Sequence, residues 1–205
     1  SYLIIHYRRH HQQQRDTERV QHHSTVRRAE LHHQNPRSCM DTSTPDLRAT
    51  IKSIARDFDL PWELIEAFAT VESSLNPWAL RYEPQYKYLY LLDDRSHLSP
   101  TERVGQMCSW GLMQVMGAVA REHGFKGYFP QLCDPIVGLR YGCLHVTKFR
   151  AKYGQWSDVI AAYNAGSPRR EPTNPGSYVN QFYVNKVLTV WNGLEVPIPL
   201  KETEI

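Results

Sequence analysis

Apolar residues recur at three- and four-residue spacing through most of the chain after residue 45, and this periodicity confines the folded part to a mainly helical architecture. Leu47, Ile51, Ile54 and Phe58 mark the first stripe, entered at Thr44-Pro45, and predict a helix over 46–58. Pro61 suits the first turn of a second helix, which runs toward Leu75 with Trp62, Ile65, Phe68 and Ala69 facing inward. Asn76-Pro77 ends it, because a residue before proline is pushed out of the helical region. Helical patterning returns at Leu112–His123, Pro135–Tyr153, Trp156–Ala165 and Tyr178–Trp191. Residues 78–108 break the pattern: Tyr82, Tyr86, Tyr88 and Tyr90 crowd among Glu83-Pro84, Asp93-Asp94 and Ser99-Pro100, which reads as a long aromatic loop, with a small β element such as a hairpin, or a short helix, as alternatives. There is no internal repeat.

The 205 residues suffice for one domain with a real core but are tight for two. Residues 1–39 hold seven of the ten histidines and the run Gln12-Gln13-Gln14, with few large apolar residues after Ile5. Such a segment buries too little surface to offset its ordering entropy and is expected to be a disordered, His-rich tail. The folded domain is expected over 40–195, and Val196-Pro197-Ile198-Pro199 begins an extended tail over 196–205. Met40 stands where globular composition begins, so it is the expected native start, with residues 1–39 read as upstream sequence.

The tail accounts for the basic balance of the chain. It carries seven arginines against Asp16, Glu18 and Glu30, a net of +4, whereas the whole chain is +3; residues 40–205 therefore stand at −1. That argues against nucleic acid as the partner of the folded part. Tyr2-Leu3-Ile4-Ile5 is too short for a secretion signal, and no run approaches the roughly 18 apolar residues of a membrane span. Cys39, Cys108, Cys133 and Cys143 lack metal-ligand spacing, so no metal is expected and free buried thiols are the default.

Glu72 does not fit its surroundings. It falls four residues after Phe68 and seven after Ile65, on the face that otherwise reads as core. A carboxylate there is salt-bridged, exposed at a cleft, or held partly desolvated with a raised pKa. The last state is what a general acid for glycoside cleavage needs.

Three motifs appear in order: Glu72-Ser73-Ser74-Leu75-Asn76-Pro77, Ser109-Trp110-Gly111-Leu112-Met113-Gln114, and Ala162-Tyr163-Asn164-Ala165-Gly166, followed by Tyr183-Val184-Asn185-Lys186-Val187. Together they resemble the signatures of the soluble lytic transglycosylases, a lysozyme-like superfamily related to goose-type lysozyme. The resemblance covers roughly residues 46–192 and implies an α+β lysozyme-like domain, helical and bundle-like, with a substrate cleft. It makes Glu72 the catalytic acid/base and implies that Ser109, Met113, Gln114, Tyr163, Asn164 and Tyr183 bind substrate, with Met113 packing on the sugar. Gly138 stands where the family usually has asparagine, which puts a cap or hydrogen bond in doubt.

On residue type alone each role has an alternative. Ser109 either hydrogen-bonds the reacting sugar or caps a helix starting at Gly111. Gln114 has the donor and acceptor to meet substrate amides, or is a solvated helix residue. Tyr163 combines a stacking face with a hydroxyl able to orient Glu72, or is a core tyrosine.

The resemblance further implies peptidoglycan glycan strands as substrate and a lyase reaction needing no cofactor. Glu72 would protonate the oxygen between N-acetylmuramic acid and N-acetylglucosamine and then, as a base, allow a 1,6-anhydro ring to close. The long Glu72–Ser109 spacing contains Asp93 and Asp94, one of which would position water in a goose-type hydrolase. A wall-binding module without activity is the reading from another class. Action on the cell wall, in the periplasm or outside the cell, would require delivery, for example by a phage particle, a lysis cassette or an envelope assembly.

Overall fold

The computed structural model describes residues 46–91 and 98–195; the expectations for the tail over 1–39, for Met40, for Asp93 and Asp94, and for Val196–Pro199 lie outside them. Helix α1 (Leu47–Asp57) is capped by Asp46, whose carboxylate accepts from the Arg48 N–H, and buries Ile51, Ile54 and Ala55. Helix α2 (Trp62–Ser73) follows Pro61 and is nearly all core: Leu64, Ile65, Ala67, Phe68 and Ala69 are fully buried. Its buried Glu66 is held by the Arg48 guanidinium, so that carboxylate is already spent.

Strand β1 (Leu80–Tyr82) opens the irregular region, and helix α3 (Pro100–Gln106) follows, capped by Ser99. Strands β2 (Cys108–Trp110) and β3 (Val115–Met116) complete a small antiparallel sheet in the order β1-β2-β3. Helix α4 (Gly117–Glu122) and a 3-10 turn at Phe129–Cys133 lead to α5 (Pro135–Tyr153), then α6 (Trp156–Ala165). A second hairpin, β4 (Arg170–Glu171) and β5 (Asn174–Tyr178), precedes α7 (Gln181–Glu195). Helix α2 packs between α1 and α7, while α5 packs on α1 and α6. One apolar core joins them, from Ile51 through Phe68, Leu139 and Ile160 to Val187. The mainly helical lysozyme-like fold with a small β element is therefore observed.

Two helix predictions need correction. Leu112–His123 is not one helix: residues 111–114 form the turn of the β2–β3 hairpin, and only Gly117–Glu122 is helical. Gly111 (φ +69) and Gln114 (φ +46) are left-handed, which helix geometry forbids, whereas Leu112, Met113 and Val115 are buried and so mimic a helical stripe. Tyr178 belongs to β5 rather than to the last helix, which starts at Gln181.

Gly138 also finds its reason. Asp134 caps α5 by accepting from the Ile136 and Val137 N–H groups, so the cap needs no asparagine. A Cβ at 138 would lie 2.5 Å from the Leu132 carbonyl oxygen, so glycine is required for α5 to meet the 3-10 turn. Cys108, Cys133 and Cys143 are free and buried. Among the described residues no helix is long and apolar enough to cross a membrane, and no group of three His, Cys, Asp or Glu could hold a metal ion.

Candidate active site

The site is assembled where the C-terminus of α2, the β2–β3 turn, the end of α6 and the start of α7 converge. Helix α2 ends in a left-handed closure at Ser74 (φ 54) and Leu75 (φ 61): Ser74 N–H donates to the Thr70 carbonyl and Leu75 N–H to that of Ala69. The helix thus stops at Ser73, one residue past Glu72, and the chain turns away to leave the carboxylate at the end of a buried face.

Glu72 is half-buried, and its Oε1 accepts a 2.5 Å hydrogen bond from the Tyr183 hydroxyl on α7. Burial pushes its pKa up; the Tyr183 hydrogen bond and the Arg81 charge pull the other way and do not overcome burial. Among the described residues Oε2 has no hydrogen-bond partner. Tyr183 is itself held well above its ordinary pKa by burial and by the facing carboxylate, so it remains a donor. Asn164 contributes from one step behind: its Oδ1 accepts from Asn180 Nδ2, which also donates to the Ala161 carbonyl, and Asn180 leads directly into α7.

The turn at 111–114 is a hub of backbone acceptors. Leu112 O accepts from Ser73 Oγ at 2.8 Å, and Met113 O accepts from the Tyr163 hydroxyl at 2.8 Å. Gly111 N–H donates to Ala79 O, while Gln114 Nε2 donates to the carbonyls of Ala79 and Gly111. Gln114 Oε1 in turn accepts from Ser109 Oγ at 2.9 Å. A Cβ at Gly111 would lie 2.3 Å from the Leu132 carbonyl oxygen, so the turn can seat against the 3-10 segment only with glycine.

Among the described residues, Ser109, Met113, Gln114 and Tyr163 meet in this hub, while Glu72, Tyr183 and Asn164 lie on the elements that flank it. Glu72 and Tyr183 touch one another. Tyr163 makes no hydrogen bond to Glu72, although the Glu72 charge adds to burial in raising its pKa: its hydroxyl donates to Met113 O, and its ring packs on Phe68 (centroids 4.5 Å apart) and His145 (5.5 Å). Ser109 is buried on β2 and caps no helix, since its hydroxyl is spent on Gln114. The Met113 side chain is fully buried, against Gly142 of α5. Asn164 is exposed.

Two contributors had no signal as separate sites in the sequence. Ser73 pins α2 to the turn, and its helical spacing shows only that it follows Glu72. Arg81 is nine residues beyond Glu72, in the region without periodicity, and only strand pairing places it: it lies directly opposite Ser109.

A helical domain with a small sheet beside the end of its central buried helix, and a half-buried carboxylate at that end, is a lysozyme-like arrangement. The family model described as the transglycosylase SLT domain matches residues 49–178, well over half of the chain, and the chain belongs to that family. Its members are lytic transglycosylases, so this is a cell-wall enzyme of the lytic transglycosylase kind with peptidoglycan as its substrate. No curated protein matches the chain.

Proposed function

We propose that Glu72 is the single acid/base of a lytic transglycosylase that cleaves the β-1,4 bond between N-acetylmuramic acid and N-acetylglucosamine. The observation carrying this reading is the Glu72 environment: a desolvated carboxyl with its pKa raised, one oxygen fixed by Tyr183, and the other without a partner among the described residues. Protonated Glu72 would give its proton to the glycosidic oxygen as the C1–O bond breaks, while the substrate's own acetamide stabilises C1. The resulting carboxylate would take the proton of the C6 hydroxyl of the same muramoyl residue, whose oxygen bonds to C1. Glu72 is then protonated again, the product carries a 1,6-anhydro ring, and no water is consumed. Among the described residues the charged side chain acting on Glu72 is a cation, Arg81; Asp93 and Asp94, which a hydrolase would use as the second carboxylate, lie outside them.

Tyr183 would orient the acid, and Ser109, Met113, Gln114, Tyr163 and Asn164 would hold the wall of the site in place through the hydrogen bonds above. Mass spectrometry of digested sacculi tests the reaction: 1,6-anhydromuropeptides are expected, and reducing muramic ends would establish a hydrolase instead. A turbidity assay of Glu72→Gln tests the residue, because clearing equal to wild type would rule out catalysis by Glu72 and favour a wall-binding role.

A further inference from the structure

We infer that Arg81 reads a substrate carboxylate beside Glu72, either the lactyl carboxylate of a muramoyl residue stripped of peptide or a carboxylate of the attached peptide stem. The inference rests on the peptidoglycan reading above and specifies which part of the substrate the site recognises.

Strand register supplies the geometry. Directly opposed residues of an antiparallel pair project to the same side of the sheet, and Arg81 opposes Ser109, whose hydroxyl lies in the hub beside Glu72. Glu83, two residues on, shares that side and holds Arg81 Nε at 2.5 Å. The guanidinium stays accessible, since the Arg81 side chain is 69% exposed and that of Glu83 35%. Two other arginines are committed to structure: Arg121 is buried against Glu102 and two carbonyls, and Arg48 is locked on buried Glu66. An exposed ion pair is worth little, so an incoming carboxylate can displace Glu83 at small cost while using the same fork of donors.

Placing a cation beside an acid also works against that acid, because the Arg81 charge lowers the Glu72 pKa. A bound carboxylate resolves the conflict. A substrate carboxylate adds its negative charge to that of Glu83 beside Arg81 and so offsets the pull of Arg81 on Glu72, leaving the acid better protonated in the complex than in the free enzyme. Neutral sugar rings give no such effect, and the anionic groups of this polymer sit on the muramoyl residue whose bond is cut.

The test compares wild type, Arg81→Gln, Arg81→Lys and Glu83→Gln on peptide-bearing sacculi and on glycan strands stripped of peptide by an amidase. Arg81→Gln should raise KM about tenfold with kcat changed less than about threefold, as for loss of one charge-assisted pair, and Arg81→Lys should recover part of it. A defect confined to stripped strands identifies the lactyl carboxylate; one confined to sacculi identifies the peptide. Glu83→Gln should not raise KM. Binding of chitotetraose, which has no carboxylate, should be unaffected by Arg81→Gln. In wild type the alkaline limb of kcat should lie at higher pH than that of kcat/KM, and the two should merge in Arg81→Gln. Unchanged KM on both substrates, equal weakening of chitotetraose, or the same defect in Glu83→Gln would overturn the inference. Failure of the underlying reading shows separately, as wild type producing no anhydro ends; binding of a disaccharide-peptide to Glu72→Gln with and without Arg81→Gln then still tests Arg81.

Discussion

Glu72 and Glu102 are both partly buried glutamates tied to hydrogen-bond clusters, and their carboxyl groups are driven in opposite directions. Glu102 receives both Nε and Nη2 of Arg121 (2.8 and 3.0 Å) and Nε2 of Gln106 (3.0 Å), and these contacts hold its pKa below the ordinary value despite burial. Glu72 receives one neutral hydroxyl and a more distant cation, and burial wins. The cluster at Glu102 is a fastening: Arg121 also grips the carbonyls of Phe125 and Gly127, and buried Gln106 bonds both backbone groups of Tyr90, so the aromatic region is tied to the domain. A carboxylate with every oxygen satisfied by charge is inert; one left short of partners keeps a proton it can give away.

The comparison breaks most visibly in activity. Glu72→Gln should lower kcat by about 10³-fold or more, within the range of general acid–base catalysis, with the fold intact by circular dichroism. Glu72 ionises against burial, so below the unfolded carboxylate pKa of about 4.3 its contribution to stability is nil, and the penalty grows as pH rises through the raised folded value. Glu72→Gln should accordingly raise Tm at neutral pH, and the gain should vanish near pH 4.

Glu102→Gln tests the other side. Arg121, only 7% exposed, would lose its counter-charge, at about 3 kcal/mol in denaturant unfolding. Because the folded pKa of Glu102 is lowered, its contribution is complete above the unfolded value and is lost as pH falls through the folded one. The two variants should therefore show opposite dependence of stability on pH, and parallel curves would refute the distinction between them.

Tyr183→Phe should lower kcat about tenfold by releasing one hydrogen bond to the acid. That bond lowers the Glu72 pKa, so its loss should move the alkaline limb of activity to higher pH; an unmoved limb would mean that Tyr183 does not tune the acid. The smallest effect is expected for Ser73→Ala, about 1 kcal/mol by thermal unfolding, because the Leu112 carbonyl loses its side-chain donor.

Periodicity located α1, α2, α5 and α6 to within a few residues, and it placed Glu72 on a buried face because side chains four apart share one face of a helix. The same rule failed over Leu112–Val115, where a buried turn has the apolar density of a helix and its left-handed residue Gln114 carries no composition signal. Ordered motifs indicated which residues gather near Glu72 but not what their polar atoms do. Tyr163 and Tyr183 are equivalent as residue types, yet one donates to the Met113 carbonyl and the other to the carboxylate.

The sequence alone indicated the helical class and a carboxylate on an apolar helical face, because helical spacing is a local property, and its ordered motifs carried the resemblance that proposed a set of residues to go with it. Tertiary structure alone decided which tyrosine meets Glu72, that Gln114 closes a turn instead of standing free, and that Arg81 stands across from Ser109. Those outcomes depend on strand register and on how α7 packs against α2, long-range relations that fix the number of partners around a buried carboxylate and hence the direction of its pKa.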